Sequence, residues 1–243
     1  MVITIEGTGT PEEEWLPYLE SLKLPRLALD PPPAHAVVAA PHPDDEVLGV
    51  GGLIALLAAA GTRVDILAVT DGEASHPGGS VGPHDLATRR VAESVAALGG
   101  LGMRDNVRRL RLPDGGGETL EQPVAESLLL APGTWLFAPW VGDGHPDHAA
   151  VGRGCLAAAL RDGARLLAYP VWAWHWASPG DLRVPWARAL QIDLPVGVRA
   201  AKARSMAEFI TQTKPLGPEP ANAPVLPPHV LARFARPWEV VFG

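Results

Sequence analysis

From residue 35 the chain alternates short apolar runs with longer runs rich in alanine and leucine, the pattern of strands each followed by a helix. The spacing predicts strands at "HAVVAA", "RVDILAVT", "NVRRLRL" and "TWLFAPW", and a further one starting in "RLLAYPVWAW". Between them it predicts helices over "VLGVGGLIALLAAAG", "PHDLATRRVAESVAALG", "TLEQPVAESLLL" and "HAAVGRGCLAAALRDG". Pro83 suits the start of the second helix, Gly99 and Gly100 its end, and Pro123 shortens the third. Strands that read as continuous apolar runs are covered on both faces. The expected fold class is therefore α/β, a three-layer sandwich with a mostly parallel central sheet.

No repeat of fixed period is visible, and a chain of 243 residues suits one domain spanning 1–243. Two pieces lie outside the alternation. Residues 1–30 read as an N-terminal extension with a helix packed on the edge of the core. Residues 214–228 hold six prolines and read as an extended loop, either a lid over a site or a surface connection.

Composition narrows the function classes. With 47% hydrophobic and 19% charged residues the chain is of the ordinary globular kind. A net charge of −7, with basic residues only in short pairs such as Arg89 and Arg90, speaks against nucleic acid as a partner. The single cysteine, Cys155, excludes an intramolecular disulfide and a tetracysteine zinc site, and suits a reducing compartment. The start of the chain lacks a basic stretch leading into an apolar core and carries Glu6, Glu12, Glu13 and Glu14. Its longest apolar run falls short of the roughly 18 residues of a spanning helix. The expectation is a soluble cytoplasmic protein without a membrane span.

Ligands of open parallel sheets bind beyond the carboxyl ends of the strands. Four polar clusters fall there: "PHPDDE", "TDGEASHPGG", "LPDGGG" and "GDGHPDH". In the first, Pro43 suits the first helical position, with Asp44 and Asp45 in the opening turn. Residues three apart at such a start share a face, which joins His42 to Asp45 and turns Asp44 elsewhere. His145 and His148 repeat the spacing. An acidic first turn complementing the helix dipole would account for Asp44, Asp45 and Glu46 alone. It accounts for neither His42 nor a second histidine-rich cluster at an equivalent strand end. Imidazole and carboxylate without thiolate point to zinc, with iron(II), cobalt(II) or manganese as substitutes, and three protein ligands plus water is the catalytic pattern.

The paired stretches "APHPDDEVLGVGG" and "GHPDHAAVG" resemble the signatures of the PIG-L or LmbE-like N-acetylglucosaminyl deacetylases. "TDGEASHPG", "RVAESVAALG", "RLRLPDGG", "KARSMAEFITQ" and "RPWEVVF" are similar to further stretches of that family, so the resemblance runs from residue 35 to 242. It implies a Rossmann-like fold and one zinc ion per chain held by His42, Asp45 and His148. It implies Asp44 as general base, His145 as acid or electrophile beside the oxyanion, and Asp147 fixing the tautomer of His145. Arg90, Asp114 and Glu73 fall at positions implied to face substrate. Spacing alone leaves His145 and His148 equal as ligands; the resemblance chooses His148.

Other features are weaker. "VGVGGLI" is not a dinucleotide fingerprint, because Ile54 stands where the third glycine belongs and the glycines sit inside the helix, where close packing on the sheet explains them. In "PVWAWHWASP" an extended chain would set Trp172, Trp174 and Trp176 on one face, stacking on a sugar or aromatic aglycone or packed in a core or subunit interface, with His175 on the other face reaching the rim; Trp174 and His175 are the candidate substrate contacts. His76 and His84 read as solvated loop residues, His35 as the start of a strand, and Cys155 as a small buried residue. The expected function is a zinc-dependent N-deacetylase acting on a small amino-sugar conjugate, with a homo-oligomer compatible. The alternatives are an amidase for another N-acyl or thiol-conjugate substrate, and a non-catalytic metal-binding or glycan-binding member.

Overall fold

The first helix, α1 (Glu12–Leu22), buries Trp15 and Leu19 against the rest of the chain in a computed structural model that describes residues 7–103 and 105–243. Then follow β1 (His35–Ala40), α2 (Asp45–Ala59), β2 (Arg63–Thr70), α3 (Pro83–Gly100) and β3 (Val107–Leu112). A tight turn at Gly117–Leu120 leads into α4 (Glu121–Ser127), then β4 (Trp135–Pro139), α5 (Pro146–Asp162) and β5 (Arg165–Tyr169). These are the predicted units in the predicted order. Pro123 falls in the first turn of α4, where its missing N–H breaks no hydrogen bond.

Beyond β5 the chain adds α6 (Ala173–Trp176), β6 (Ala189–Asp193), α7 (Val196–Ala207), α8 (Ile210–Thr213), α9 (Pro228–Leu231) and β7 (Trp238–Phe242). The sheet order is β3-β2-β1-β4-β5-β7-β6. β1 to β5 pair in parallel, while β7 inserts antiparallel between β5 and β6. Alternate residues of each strand enter opposite cores. Ala36, Val38, Val64 and Ile66 pack with Leu53, Ile54 and Met206, whereas Val37, Ala39, Leu67 and Val69 pack with Val124, Val151 and Cys155. Both faces are covered, which is why the strands read as unbroken apolar runs. Among the described residues no helix is long and apolar enough to cross a membrane.

Helix α2 is broken at Val50, whose φ of −140° and ψ of 24° are not helical. The freed backbone groups find partners from the far end of the chain. Glu239 on β7 accepts the N–H groups of Gly52 and Leu53 at 2.7 and 2.9 Å, and Lys202 on α7 donates to the carbonyl of Leu48 at 2.8 Å. The glycines of this helix answer to packing: a Cβ on Gly49 would lie 2.3 Å from the Tyr169 ring, and one on Gly52 would lie 2.5 Å from Leu194.

The extended row of tryptophans is not formed. β5 stops at Tyr169, and residues 173–176 make the single turn α6, so the three rings fan apart. The cause is tertiary: the Asp143 carboxylate accepts the backbone N–H groups of Val171, Trp172 and Ala173, each at 2.9 Å, and curls the chain. Residues 214–228 stay irregular apart from a short turn at Pro220–Asn222, and α9 starts on Pro228. Along the β6 edge, Leu27 donates to the Gln191 carbonyl and Gln191 donates to Pro25, at 2.9 and 2.8 Å.

Candidate metal centre

Adjacent parallel strands β1 and β4 send their chains in opposite directions, β1 toward β2 and β4 toward β5, and a crevice opens between their carboxyl ends. The loop after β1 carries His42, Asp44 and Asp45; the loop after β4 carries Asp143 and His145 and enters α5 with Asp147 and His148. Thus two clusters about a hundred residues apart meet on one rim. Helix α2 begins at Asp45 rather than at Pro43, and Asp44 caps it with φ 142° and ψ −31°. A side chain in that region strains the backbone by about 1–3 kcal/mol, and such strain gathers at functional positions.

Asp45 Oδ2 lies 3.2 Å from His42 Nδ1 and 3.2 Å from His148 Nε2. The ligand atoms of the three residues fall within 4.8 Å of one another, and all three residues are largely or fully buried. The His148 Nε2 is a buried atom with no hydrogen-bond partner. The other nitrogen of each ring is engaged. His148 Nδ1 faces Asp143 Oδ2 at 2.7 Å, and His42 Nε2 faces Asp147 Oδ2 and Asp114 Oδ1, both at 3.1 Å. In the neutral ring that a bound ion requires, each carboxylate would hold the proton on the nitrogen it faces, and Nδ1 of His42 and Nε2 of His148 are the atoms turned toward Asp45. That is the orientation a cation requires, so the residues fit a metal. A second grouping of His42, His145 and Asp147 also lies within 4.8 Å. Its acceptors are taken: Asp147 accepts from Gly115 and Gly117 at 2.9 and 2.7 Å, and His145 Nδ1 accepts the Asp147 N–H at 3.2 Å.

The electrostatics agree. Burial works against a charged His148, but Asp45 and Asp143 outweigh it and lift its pKa to about 9. His42 is likewise disfavoured by burial and raised well above its usual value by Asp114, Asp147 and Asp45. Burial opposes ionised Asp45, yet His148 and His42 beside it hold its pKa well below the ordinary range. A carboxylate field this strong favours a divalent cation as much as protons. Burial, reinforced by Asp45, raises Asp44 to about 7 against the pull of Arg90. Burial, with the His148 and His42 charges, lowers His145 to about 4.

A cavity of about 250 Å³ opens beside these groups, with Asp44, Arg90, Asp114 and His145 in its lining. Its apolar wall includes Trp172 and, from the proline-rich segment, Val225 and Leu226. Arg90 is buried and donates to Gly72 O, Pro43 O and Asp44 Oδ2 at 2.8, 2.9 and 3.1 Å, so it braces Asp44 from within the protein. Glu73 accepts the Asp114 N–H at 3.0 Å and stands one residue back from the cavity. The Asp147 carboxylate faces His42 Nε2 at 3.1 Å, while its backbone N–H, not its carboxylate, reaches His145 Nδ1 at 3.2 Å. Trp174 and His175 lie outside the lining. Trp174 packs edge-to-face on Trp15 at 5.2 Å with Arg236 over its ring, and His175 is buried at 3.0 Å from Arg233 Nη1. His76, expected in solvent, is 6% exposed beside Ser75, whereas His84 is exposed. Trp172 comes from the row read as stacking on a sugar or packing in a core, and Val225 and Leu226 from the segment read as a lid or a surface connection; the sequence reading passed over Asp143, which stood inside the quoted "GDGHPDH", where an acidic residue near a histidine was the available signal.

Fold and site together define an α/β protein with a buried His/Asp cluster able to hold a metal ion at the switch point of its sheet. The chain belongs to the family described as GlcNAc-PI de-N-acetylase, PIG-L, whose match covers residues 37–159. It is similar to a diacetylchitobiose deacetylase of Thermococcus kodakarensis, 35% identical over 121 residues, which are 46% of this chain and 44% of that protein. The aligned part thus spans less than half of that relative's length. Among solved structures, the A40926 pseudoaglycone deacetylase Dbv21 superposes with a TM-score of 0.62 at 24% identity, over 86% of this chain and 96% of its own. A zinc-inhibited form of teicoplanin deacetylase Orf2 gives a TM-score of 0.58 at 19% identity, over 74% of this chain and 85% of its own. These two likenesses are of fold.

Proposed function

We propose that the protein is a zinc-dependent hydrolase that removes the acetyl group from an N-acetylglucosamine-type conjugate. The observation that carries this reading is the convergence of His42, Asp45 and the partnerless Nε2 of His148 beside a cavity that Asp44 also lines. His42, Asp45 and His148 would hold the ion, and their nitrogen and oxygen donors suit zinc, with iron(II), cobalt(II) and manganese as competitors. Zinc held there would polarise the amide carbonyl and acidify the attacking water.

The chain's own groups supply the proton path. Arg90 fixes Oδ2 of Asp44, so the carboxylate stands ready to accept the proton of the attacking water. It returns that proton to the amide nitrogen as the C–N bond breaks, giving acetate and a free amine. Because His145 Nδ1 accepts the Asp147 N–H, the proton of its neutral ring sits on Nε2. That N–H is a donor for the carbonyl oxygen as negative charge builds there. Asp114 on the cavity wall is the acceptor for sugar hydroxyls. The cavity of about 250 Å³ is smaller than the roughly 300–1,000 Å³ that encloses a drug-sized ligand, so one sugar residue enters and the remainder of the conjugate stays outside. The named activity of the Thermococcus relative supports an N-acetylated amino sugar.

The test is to load the purified protein with zinc, count the ions per chain, and follow acetate and free amine from a panel of N-acetylated amino-sugar conjugates by mass spectrometry. Zinc-loaded protein that frees acetate from none of them would overturn the reading. Release confined to longer acyl groups or thiol conjugates would replace it with an amidase.

A further inference from the structure

Asp143 has no part in the proton path above, yet no residue of the site is more fully engaged. It lies in the loop after β4, is fully buried, and its carboxylate accepts four hydrogen bonds. Oδ2 takes the Nδ1–H of His148 at 2.7 Å and the backbone N–H of Trp172 at 2.9 Å; Oδ1 takes the N–H groups of Val171 and Ala173, both at 2.9 Å. The Trp176 indole also donates to the Asp143 carbonyl at 2.7 Å, which pins the residue from its backbone side. One oxygen therefore touches a side chain of the metal centre and the main chain of the cavity wall.

We propose that Asp143 is a positioning residue that keeps the proton of His148 on Nδ1, leaving Nε2 bare, and through the same oxygen holds the Trp172 wall of the cavity in register with the metal centre. The inference rests on the metal-dependent reading above and extends it, joining ion binding to substrate fit in one carboxylate. A neutral imidazole carries a single ring proton, and the acceptor beside Nδ1 decides where it stays. The atom this leaves for the ion is Nε2, which is buried, makes no well-formed hydrogen bond and lies 3.2 Å from Asp45 Oδ2. An asparagine offers one acceptor and one NH₂ where four donors converge. With its oxygen kept on the amides of Val171 and Ala173, the NH₂ faces His148 Nδ1 and the Trp172 N–H. Opposed by that NH₂, the proton of His148 moves to Nε2 and covers the lone pair needed for zinc, while Trp172 loses its acceptor.

The experiment compares wild type with D143N by zinc affinity in competition with a chromophoric chelator, and by kcat and KM at saturating zinc. It adds ¹⁵N NMR of the His148 ring in zinc-loaded wild type. D143N is expected to bind zinc about 10–100-fold more weakly and to show a raised KM even when zinc is saturating; wild type is expected to carry its ring proton on Nδ1. A folded D143N with wild-type zinc affinity and KM overturns the proposal, since a residue serving folding alone would shift only the melting temperature. Should D143N not fold, wild-type spectra with the proton on Nε2 overturn it instead. Wild type that binds zinc but frees no acetate overturns the deacetylase reading alone, because the affinity and NMR measurements still judge Asp143.

Discussion

Lys202 Nζ lies 2.7 Å from Glu239 Oε1, an ion pair buried between α7 and β7. Both partners also hold the main chain of α2 where that helix breaks, so the pair closes a gap in the element that carries Asp45. Removing one member leaves a buried charge and unpartnered backbone groups. E239A is expected to lower unfolding free energy by about 3–5 kcal/mol, and K202M by a similar amount, in denaturant titration. The double variant should lose clearly less than the sum of the two; additive losses would mean the residues act separately.

Asp44 combines a buried carboxylate with a φ of 142°. D44A is expected to keep zinc while turnover falls about 10²–10⁴-fold, whereas H148A loses both zinc and turnover. Equal loss of metal in the two variants would refute the roles given to them. D44G should be as inactive as D44A but more stable by about 1 kcal/mol or more, because only the backbone conformation separates them. Matching stabilities would show that the residue is not strained.

The proline-rich segment forms a wall of the cavity through Val225 and Leu226, and it is moored by buried Asn222, whose Oδ1 accepts from Ser80 N and Ser80 Oγ at 2.8 and 3.1 Å. N222A is expected to lower stability by about 1–3 kcal/mol through the donors it strands, and to raise KM with zinc affinity unchanged. Steady-state kinetics beside chelator competition reads both, and an unaltered KM would show that the wall does not touch substrate.

Ion binding should show in stability as well as in rate. Zinc at about 100 times its dissociation constant adds about 2.7 kcal/mol to a folded state that alone binds it. Thermal melts with and without a chelator are expected to differ accordingly, and the difference should vanish in H148A. A chelator-insensitive melt of wild type would count against the metal centre.

The succession of β1 to β5 along the chain and the two histidine-bearing loops were legible because their signals are local. Apolar runs mark covered strands, and His42 with Asp45, or His145 with His148, declare themselves at a spacing of three residues. Spacing could not separate His145 from His148. The fold sets them apart: His148 Nδ1 faces Asp143, five residues earlier, and its Nε2 lies 3.2 Å from Asp45 of another loop, whereas His145 Nδ1 accepts the Asp147 N–H. The fate of "PVWAWHW" was hidden for the same reason: a carboxylate in a different loop bends it, overriding its own preference for extended chain. Arg90 lines the cavity, as a substrate contact would, but nothing in the sequence reveals that its guanidinium also holds Pro43, Asp44 and Gly72. The partnership of Lys202, Glu239 and α2 joins segments far apart in the chain, and only the fold brings them together.

The border of the sheet at β6 has an implication for self-association. Gln191, midway along that strand, spends both its main-chain groups on Pro25 and Leu27, and Arg26 reaches Asp193 at 2.5 Å. A short stretch of the molecule's own polypeptide thus occupies the place where a neighbour would zip on. Copies that meet on this side must do so through side chains, which makes ordered runaway stacking by backbone pairing there unfavourable.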